Sequence, residues 1–170
     1  MSRVRAPGGE RVAWWGSAVD DLPCASDPEL VTALERLHAV NARQWDAEDE
    51  TRATDDRGLS AVKHEIDRLN ARRHELIELV DRILERQWAA RPDAPPLTES
   101  IGSALDRLSV LTLRVLHASR RSPEDAQLVM LLERQRQDLV AAIAVACHDL
   151  RAGFRRAPSP ERIKLYGAAE

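Results

Sequence analysis

Polar side chains that can carry acid–base or anion-binding chemistry recur at helical spacing in the first half of the sequence. They step by four, three and four residues along the first predicted helix: Asn41, Trp45, Glu48 and Arg52. Residues at this spacing share one face of an α-helix. A carboxylate on such a face can act as a general base, and a neighbouring cation can bind an anion or a negatively charged leaving group.

A second polar stripe with the same spacing lies on the next predicted helix, and it comprises Lys63, Asp67, Asn70 and His74. If a turn near residue 55 joins the two helices as an antiparallel hairpin, helix rise predicts which residues face each other. The predicted pairs are Glu48 with Lys63, Asn41 with Asn70, and Trp45 with Asp67. The complementary charges favour either a polar pocket or interhelical contacts that fix the register of a bundle.

Asp106 and Arg107 interrupt an otherwise apolar stretch from residue 101 to residue 116. An unpaired charge in such a place would cost several kcal/mol, so both residues should be paired or face a cavity. A second hairpin with its turn near residue 121 predicts that Asp106 lies beside Gln135 and Arg136.

Helix signals define the elements that must position these residues. Apolar side chains recur at three and four residues in four stretches, which predicts helices over about 27–52, 59–90, 98–119 and 123–152. Ser26 or Asp27 can cap the first helix, and Gly153 can end the fourth. We therefore predict an all-α fold, a bundle of four long helices arranged as two antiparallel hairpins over residues 27–152.

The ends of the chain differ from this bundle. Residues 1–26 contain several glycines and prolines and should be irregular, with Trp14 and Trp15 capping an end of the bundle or contacting a partner. Residues 153–170 form a basic tail that includes a short helical stretch over 161–166. The residues around 46–56 are acidic, so this turn and the basic tail can meet across an interface.

Composition narrows the class of protein. The formal net charge is -3 and the isoelectric point is near 6.0, which argues against general binding of nucleic acid or anionic membranes. Cys24 and Cys147 are far apart and predict free thiols in a reducing compartment, Cys147 within an apolar run. No apolar run approaches membrane-spanning length, so we expect a cytoplasmic protein.

Cofactor and metal patterns are sparse. A di-iron helical bundle uses two Glu-x-x-His motifs, whereas here only Glu35 and His38 have that spacing. Nothing in the sequence matches a phosphate loop, a dinucleotide fingerprint or a nucleophile elbow. We expect no metal and no cofactor.

Five short motifs together resemble a bacterial family, domain of unknown function 4254. They are Asn41-x-x-x-Trp45-x-x-Glu48-Asp49-x-x-Arg52, Lys63-x-x-Ile66-Asp67-x-Leu69-Asn70-x-x-Arg73, Gly102-Ser103-x-x-Asp106-Arg107-Leu108-Ser109, Glu133-x-Gln135-Arg136-x-Asp138-Leu139 and Lys164-x-Tyr166. Their order and spacing hold from about residue 34 to residue 166. The chain departs from the usual pattern at His64, at His74-Glu75 and at Gly167-Ala168-Ala169.

The resemblance implies a subunit of an antibiotic-pathway enzyme that closes a strained aziridine ring by expelling sulfate. Its substrate would be an amino acid held on a small acidic amino-group carrier protein. In that reaction Glu48 or Asp67 would act as the base. Substrate or sulfate would contact Lys63, Asn70, Arg107, Arg136 and Lys164, and the pocket would be lined by Asn41, Trp45, Asp106, Gln135 and Tyr166.

Two other interpretations fit the same sequence. The chain can be a binding or assembly module without chemistry, which predicts an exposed apolar surface that uses Trp14, Trp15 or Trp88. It can also be a small-molecule enzyme of unassigned type. The catalytic and assembly interpretations both predict an oligomer, either a homodimer or a heteromer with a helical paralogue.

Overall fold

A computed structural model describes residues 14–15, 27–51, 56–88, 91–121 and 126–158. These residues form four helices: α1 (Pro28–Thr51), α2 (Asp56–Glu85), α3 (Ile101–Arg121) and α4 (Ala126–Ala152). The fold is an all-α four-helix bundle, which confirms the predicted class. Among the described helices, none combines the length and apolar character that a crossing of the bilayer needs.

Helix starts follow the capping side chains. The backbone N–H of Glu29 donates to Asp27 Oδ1 at 2.8 Å, and Pro28 occupies the first helical position, so Asp27 is the cap of α1. At α3, Ser103 N donates to Ser100 Oγ at 3.1 Å. This cap moves the start of α3 to Ile101, three residues later than predicted.

The second helix differs from its predicted limits at both ends. It begins at Asp56 rather than at residue 59, and it ends at Glu85 rather than near residue 90. The backbone N–H of Gln87 bonds to Leu84 O at 2.9 Å, a tighter i to i−3 turn than an α-helix makes. The Ser122–Asp125 capping sequence and the 161–166 stretch lie outside the described residues.

The two hairpins are antiparallel and differ in their surroundings. Arg43 pairs with Glu65 at 2.7 Å near the α1–α2 turn, and Arg86 approaches Glu29 at 3.5 Å at the far end. Among the described residues, α3 packs closely against all three other helices, whereas α4 has close backbone approaches to α3 alone. The third helix is therefore the centre of the bundle, and α4 lies on its outside.

Apolar packing forms two clusters at different heights in the bundle. The larger cluster joins the starts of α1 and α3 to the ends of α2 and α4, through buried residues that include Leu30, Leu34, Val80, Leu105 and Ile143. The smaller cluster lies near the α1–α2 turn and contains Ala47, Val62 and Leu69. Between these heights the helices carry the polar residues of the candidate site.

The predicted roles of three other residues are clarified by this packing. Trp15 belongs to the larger cluster and Trp14 packs against it, so both indoles pack on the bundle. Cys147 is buried in the same cluster, as its apolar neighbours predicted. Cys24 lies outside the described residues.

Backbone hydrogen bonds close the bundle at the end of α4. Gly153 adopts a φ of 77°, Gly153 N donates to Leu150 O, and Phe154 N donates to Asp149 O. These bonds form a Schellman motif, which a glycine in the left-handed region allows. The chain then pairs with the α2–α3 linker, because Leu97 N donates to Arg156 O at 3.0 Å and Arg156 N to Pro95 O at 3.2 Å.

Gly102 is the point of closest approach between α2 and α3. Its N–H donates to Asp81 Oδ1 at 2.7 Å. A Cβ at this position would lie 2.7 Å from both Asp81 Oδ1 and the backbone oxygen of Ile77. Glycine is therefore required here for space. The pKa of Asp81 is raised, because the effect of burial is larger than the opposite effect of its hydrogen bonds with Ser100 and Gly102.

We predict that Gly102→Ala lowers the free energy of unfolding by about 2 kcal/mol, because the added methyl group forces α2 and α3 apart. Alanine has a higher helix propensity than glycine, so propensity alone would predict an increase in stability. The sign of the measured change therefore distinguishes the two effects. Urea unfolding followed by circular dichroism measures the change. Ser119→Ala on the exposed part of the same helix is the control and should change stability by less than about 0.5 kcal/mol. Unchanged or increased stability for Gly102→Ala would contradict the close approach.

Candidate functional site

A buried carboxylate organises the middle of the bundle. Asp106 of α3 is 3% exposed. Its Oδ1 accepts hydrogen bonds from Asn41 Nδ2 at 3.0 Å and from Arg73 Nε at 2.8 Å. Its Oδ2 accepts from Arg73 Nη2 at 2.5 Å. One carboxylate therefore joins α1, α2 and α3, and its bond to Arg73 is bidentate.

The network continues through a serine to a histidine. Asn41 Nδ2 also donates to Ser109 Oγ at 3.0 Å, and Ser109 Oγ lies 2.8 Å from His38 Nδ1. Ser109 is fully buried, so its hydroxyl proton needs an acceptor. A neutral His38 that accepts at Nδ1 supplies it. We call His38, Asn41, Arg73, Asp106 and Ser109 the polar network.

The electrostatics of the polar network favour charged Arg73 and neutral His38. The hydrogen bond to Asp106 raises the pKa of Arg73 against the opposing effect of burial, and the charges of Asp106 and Glu48 raise it further. Burial lowers the pKa of His38. The interior therefore contains one ion pair whose partners are held by several hydrogen bonds, the arrangement that a buried charge requires.

The guanidinium of Arg73 is not sealed inside the protein. The Arg73 side chain is 28% exposed, whereas that of Asp106 is 4% exposed. Arginine has five N–H donors, and only Nε and Nη2 bond to Asp106 in the described structure. The Nη1 group can therefore donate to a ligand that approaches from solvent.

An aromatic stack and a carboxylate lie on the helices that surround Arg73. Trp45 of α1 stacks on His117 of α3, with ring centroids 4.5 Å apart and an interplanar angle of 16°. Glu48 is one turn beyond Trp45, is exposed, and accepts from Gln44 Nε2 at 3.1 Å. We call Trp45, Glu48, Arg73 and His117 the site edge.

Two polar atoms next to this stack are buried without a hydrogen-bond partner, Trp45 Nε1 and Gln44 Oε1. A buried polar atom without a partner is unusual in a folded protein. The donor and the acceptor lie on adjacent residues of α1. Both atoms are buried, so a partner for either would have to lie inside the bundle.

A second aromatic stack covers the other end of the polar network. Trp14 stacks on His38 with ring centroids 5.1 Å apart and packs edge-to-face against Trp15 at 5.3 Å. The indole thus shields His38, which agrees with the lowered pKa of that residue.

The structure brings together part of the set that the sequence predicted. Asn41 and Asp106 are hydrogen-bonded to each other. Trp45 and Glu48 follow on the same helix, and the charge of Glu48 acts on Arg73. Arg52, Lys164 and Tyr166 lie outside the described residues.

The predicted neighbours of Asp106 were wrong. Its partners come from α1 and α2, whereas Gln135 and Arg136 lie on α4, which packs on another side of α3. Arg136 pairs with Glu133 at 2.8 Å and Gln135 is exposed. Arg107 was predicted to lie in the interior, but its side chain is exposed and pairs with Glu99 at 2.5 Å.

The contacts described for the α1 members of the pairs predicted across the α1–α2 hairpin are made to other residues. Lys63 and Asp67 are exposed and Asn70 is half-buried. Asn41, Trp45 and Glu48 instead contact Asp106, His117 and Gln44. The antiparallel register itself is close to the prediction, as the Arg43–Glu65 pair shows. The polar stripe on α2 is one residue, or about 100°, from the core face of that helix.

The sequence did contain a signal for the residues that were missed. Along α2 the core positions step by four and three residues: Val62, Ile66, Leu69, Arg73, Leu76, Val80 and Ile83. Arg73 is the one charged residue in this series. Asn41 similarly continues the series of Leu30, Leu34 and Leu37 on α1. A polar residue that falls in an apolar series marks an interior position that needs a partner.

Nothing in the described ranges forms a metal site. No three His, Cys, Asp or Glu side chains within those ranges gather closely enough to hold a metal ion.

The fold and site define a helical protein with a three-helix polar network at its centre. Residues 31–159 match the family described as Protein of unknown function (DUF4254), and the chain belongs to this family. The family predicted from the five motifs is thus confirmed. No curated protein and no solved structure matches the chain.

We predict that protonation of His38 destabilises the fold. The folded pKa of His38 lies below the ordinary 6.5. Its contribution to stability is therefore complete above that value and is lost as pH falls through the lowered folded pKa. In urea unfolding across pH 5 to 7.5, the stability of wild type minus that of His38→Gln should decrease as pH falls. The exposed His148 offers a control, since His148→Gln should run parallel to wild type. If the pH dependence of stability were the same for His38→Gln and wild type, a neutral His38 in the folded protein would be contradicted.

Proposed function

We propose that the chain is a cytoplasmic subunit of a specialised-metabolism enzyme that forms an aziridine or azabicycle by intramolecular amine displacement of sulfate. The substrate is an amino acid held on a small carrier protein. The reaction is suggested by the family resemblance, and its location in the molecule is argued from the site edge.

The observation that carries the location is the combination of Arg73 and Glu48. Arg73 is fixed by Asp106 and remains partly exposed, and its guanidinium is within the electrostatic influence of the exposed carboxylate of Glu48. A displacement that expels an anion and releases a proton needs both groups. Of the two carboxylates proposed as the base, Glu48 is the one whose charge is found to act on Arg73.

The proposed step balances as follows. The lone pair of the substrate amine forms a C–N bond to the carbon that carries the sulfate ester. The C–O bond breaks, and its electron pair leaves with sulfate. The proton of the new ammonium group passes to Glu48. Arg73 Nη1 donates to the sulfate oxygens as charge develops on them, an interaction that is stronger in the transition state than in the substrate.

The remaining residues position these two groups. Asp106 and Asn41 fix the guanidinium, so the cation is oriented before substrate arrives. The Trp45–His117 stack provides an apolar wall beside the reacting atoms. The unpaired Trp45 Nε1 is a further donor for the sulfate or for the carrier-linked amide.

Other predicted site residues have secondary places in this proposal. Asp67 is an alternative base, and Lys63 and Asn70 can contact the carrier-bound arm from α2. Arg107 and Arg136 already pair with Glu99 and Glu133, so they are weaker candidates for the leaving sulfate.

A non-catalytic binding or assembly role is the second candidate. The observation that favours it is the set of large apolar side chains left exposed, Leu116, Leu128, Met130, Leu131, Val145 and Phe154. The tryptophans that were expected to form this surface are instead packed against the core.

We predict that Glu48→Gln reduces turnover of a carrier-bound amino sulfate ester by about 100-fold or more, because the product proton loses its acceptor. Glu48 is exposed, so the variant should keep the stability of wild type. Arg73→Lys should lower kcat through loss of the bidentate geometry. Mass spectrometry of the cyclised product and ion chromatography of released sulfate measure the rates.

Two controls make this test selective. Glu35→Gln removes an exposed carboxylate elsewhere on α1 and should leave turnover unchanged. Asp67→Asn distinguishes the two proposed bases. Full turnover by Glu48→Gln and by Asp67→Asn would exclude both as the base. Binding of the carrier without any turnover by wild type would favour the second candidate function.

A further inference from the structure

The outer face of α4 carries large apolar side chains in contact with solvent. Met130 is 72% exposed, Leu131 is 53% exposed and Val145 is 61% exposed. At 100° per residue these three side chains lie on one side of the helix. The buried residues Leu132, Ile143, Cys147 and Leu150 lie on the opposite side, against the bundle.

The position of α4 in the bundle explains why this face is uncovered. Within the described residues, α4 approaches only α3 closely, so the other three helices leave its outer side open. The same face carries Ala141 and Ala142, which are exposed and have short side chains. Such residues allow the axis of another helix to come near.

Two opposite charges lie in the middle of this face, one turn apart. Arg134 and Asp138 are both exposed. In the part of the chain that the structure describes, neither takes part in an ion pair, although many other charged residues do. Arg134 and Asp138 can therefore pair with another surface that presents an anion and a cation in the opposite order.

The order of residues along this face is complementary to itself when reversed. The large side chains of Met130 and Leu131 come first, then Arg134 and Asp138, and then the small Ala141 and Ala142. In an antiparallel pair of such helices, Met130 and Leu131 meet small side chains and each of the two charges meets its opposite. A two-fold interface requires this kind of self-complementary surface.

We propose that α4 packs antiparallel against α4 of a second copy of this chain. Met130 lies over Ala142 of the other copy, Leu131 over Ala141, and Arg134 pairs with Asp138, each contact occurring twice. A parallel arrangement would place like charges together, and a partner of different sequence would not need both halves of the pattern on one face. The inference does not depend on the proposed function.

The first test is the mass of the wild-type chain by sedimentation equilibrium. A dimer is expected at roughly 50 µM, a concentration that detects dissociation constants in the micromolar range. Arg134→Asp replaces each of the two proposed ion pairs with two carboxylates that face each other. Asp138→Arg replaces each ion pair with two facing cations. Each single variant should raise the dissociation constant at least about tenfold.

Mixing the two variants gives the decisive result. One variant then carries only acids at the two positions and the other only bases, so a mixed dimer restores both ion pairs. The doubly exchanged Arg134→Asp/Asp138→Arg chain should also dimerise like wild type. Arg114→Asp makes the same charge change at an exposed position of α3 and should not alter the mass.

Several outcomes would overturn the proposal. A monomeric wild type at that concentration would do so, as would single variants that dimerise as tightly as wild type. Failure of the mixed variants to form a dimer would exclude the antiparallel register. Circular dichroism of each variant keeps these results separate from misfolding, because both positions are exposed and make no ion pair within the described chain.

Discussion

The carboxylate of Asp106 is the constraint on which the arrangement of α1, α2 and α3 depends. It is buried between the two apolar clusters, where an isolated charge would cost several kcal/mol. Asn41 from α1 and Arg73 from α2 both donate to it, so its charge is compensated only when the three helices have one rotation and one register. Apolar packing tolerates small shifts between helices, whereas a bidentate ion pair does not. Ser109 and His38 extend this requirement along the α1–α3 contact.

The same interaction relates the fold to the candidate chemistry. Asp106 orients the guanidinium of Arg73, a partly exposed side chain that lies close enough to Glu48 for the carboxylate charge to act on it. A cation fixed in advance stabilises a developing anion more effectively than a mobile lysine, since little rearrangement is needed during the reaction. Within the described residues, the polar network comes from α1, α2 and α3, and the backbone of α4 closely approaches α3 alone. Its outer face is therefore free for assembly, and the proposed site and the proposed interface lie on different parts of the molecule.

Local signals in the sequence were sufficient for the helices and for part of the site. The cap at Asp27, the glycine at 153 and the apolar series predicted the elements, and the interruption of an apolar stretch by Asp106 predicted an interior polar residue. The partners of Asp106 were not predictable in the same way. They depend on how one hairpin is rotated against the other, which spacing within each hairpin does not specify. The interior position of Arg73 was not predicted for a different reason. The polar stripe of Lys63, Asp67, Asn70 and His74 lies one residue away from the apolar series that contains Arg73.

A double-mutant cycle between Arg73 and Asp106 tests the central claim most directly. Arg73→Met, Asp106→Leu and the combined variant replace each group with an apolar side chain, and urea unfolding gives the free energy of each. If the pair fixes the docking of the helices, each single variant leaves a buried charge without its partner. The combined variant should then lose at least about 2 kcal/mol less than the two single losses together. Losses that add to within about 0.5 kcal/mol would show that the two residues act independently and would contradict this account of the bundle.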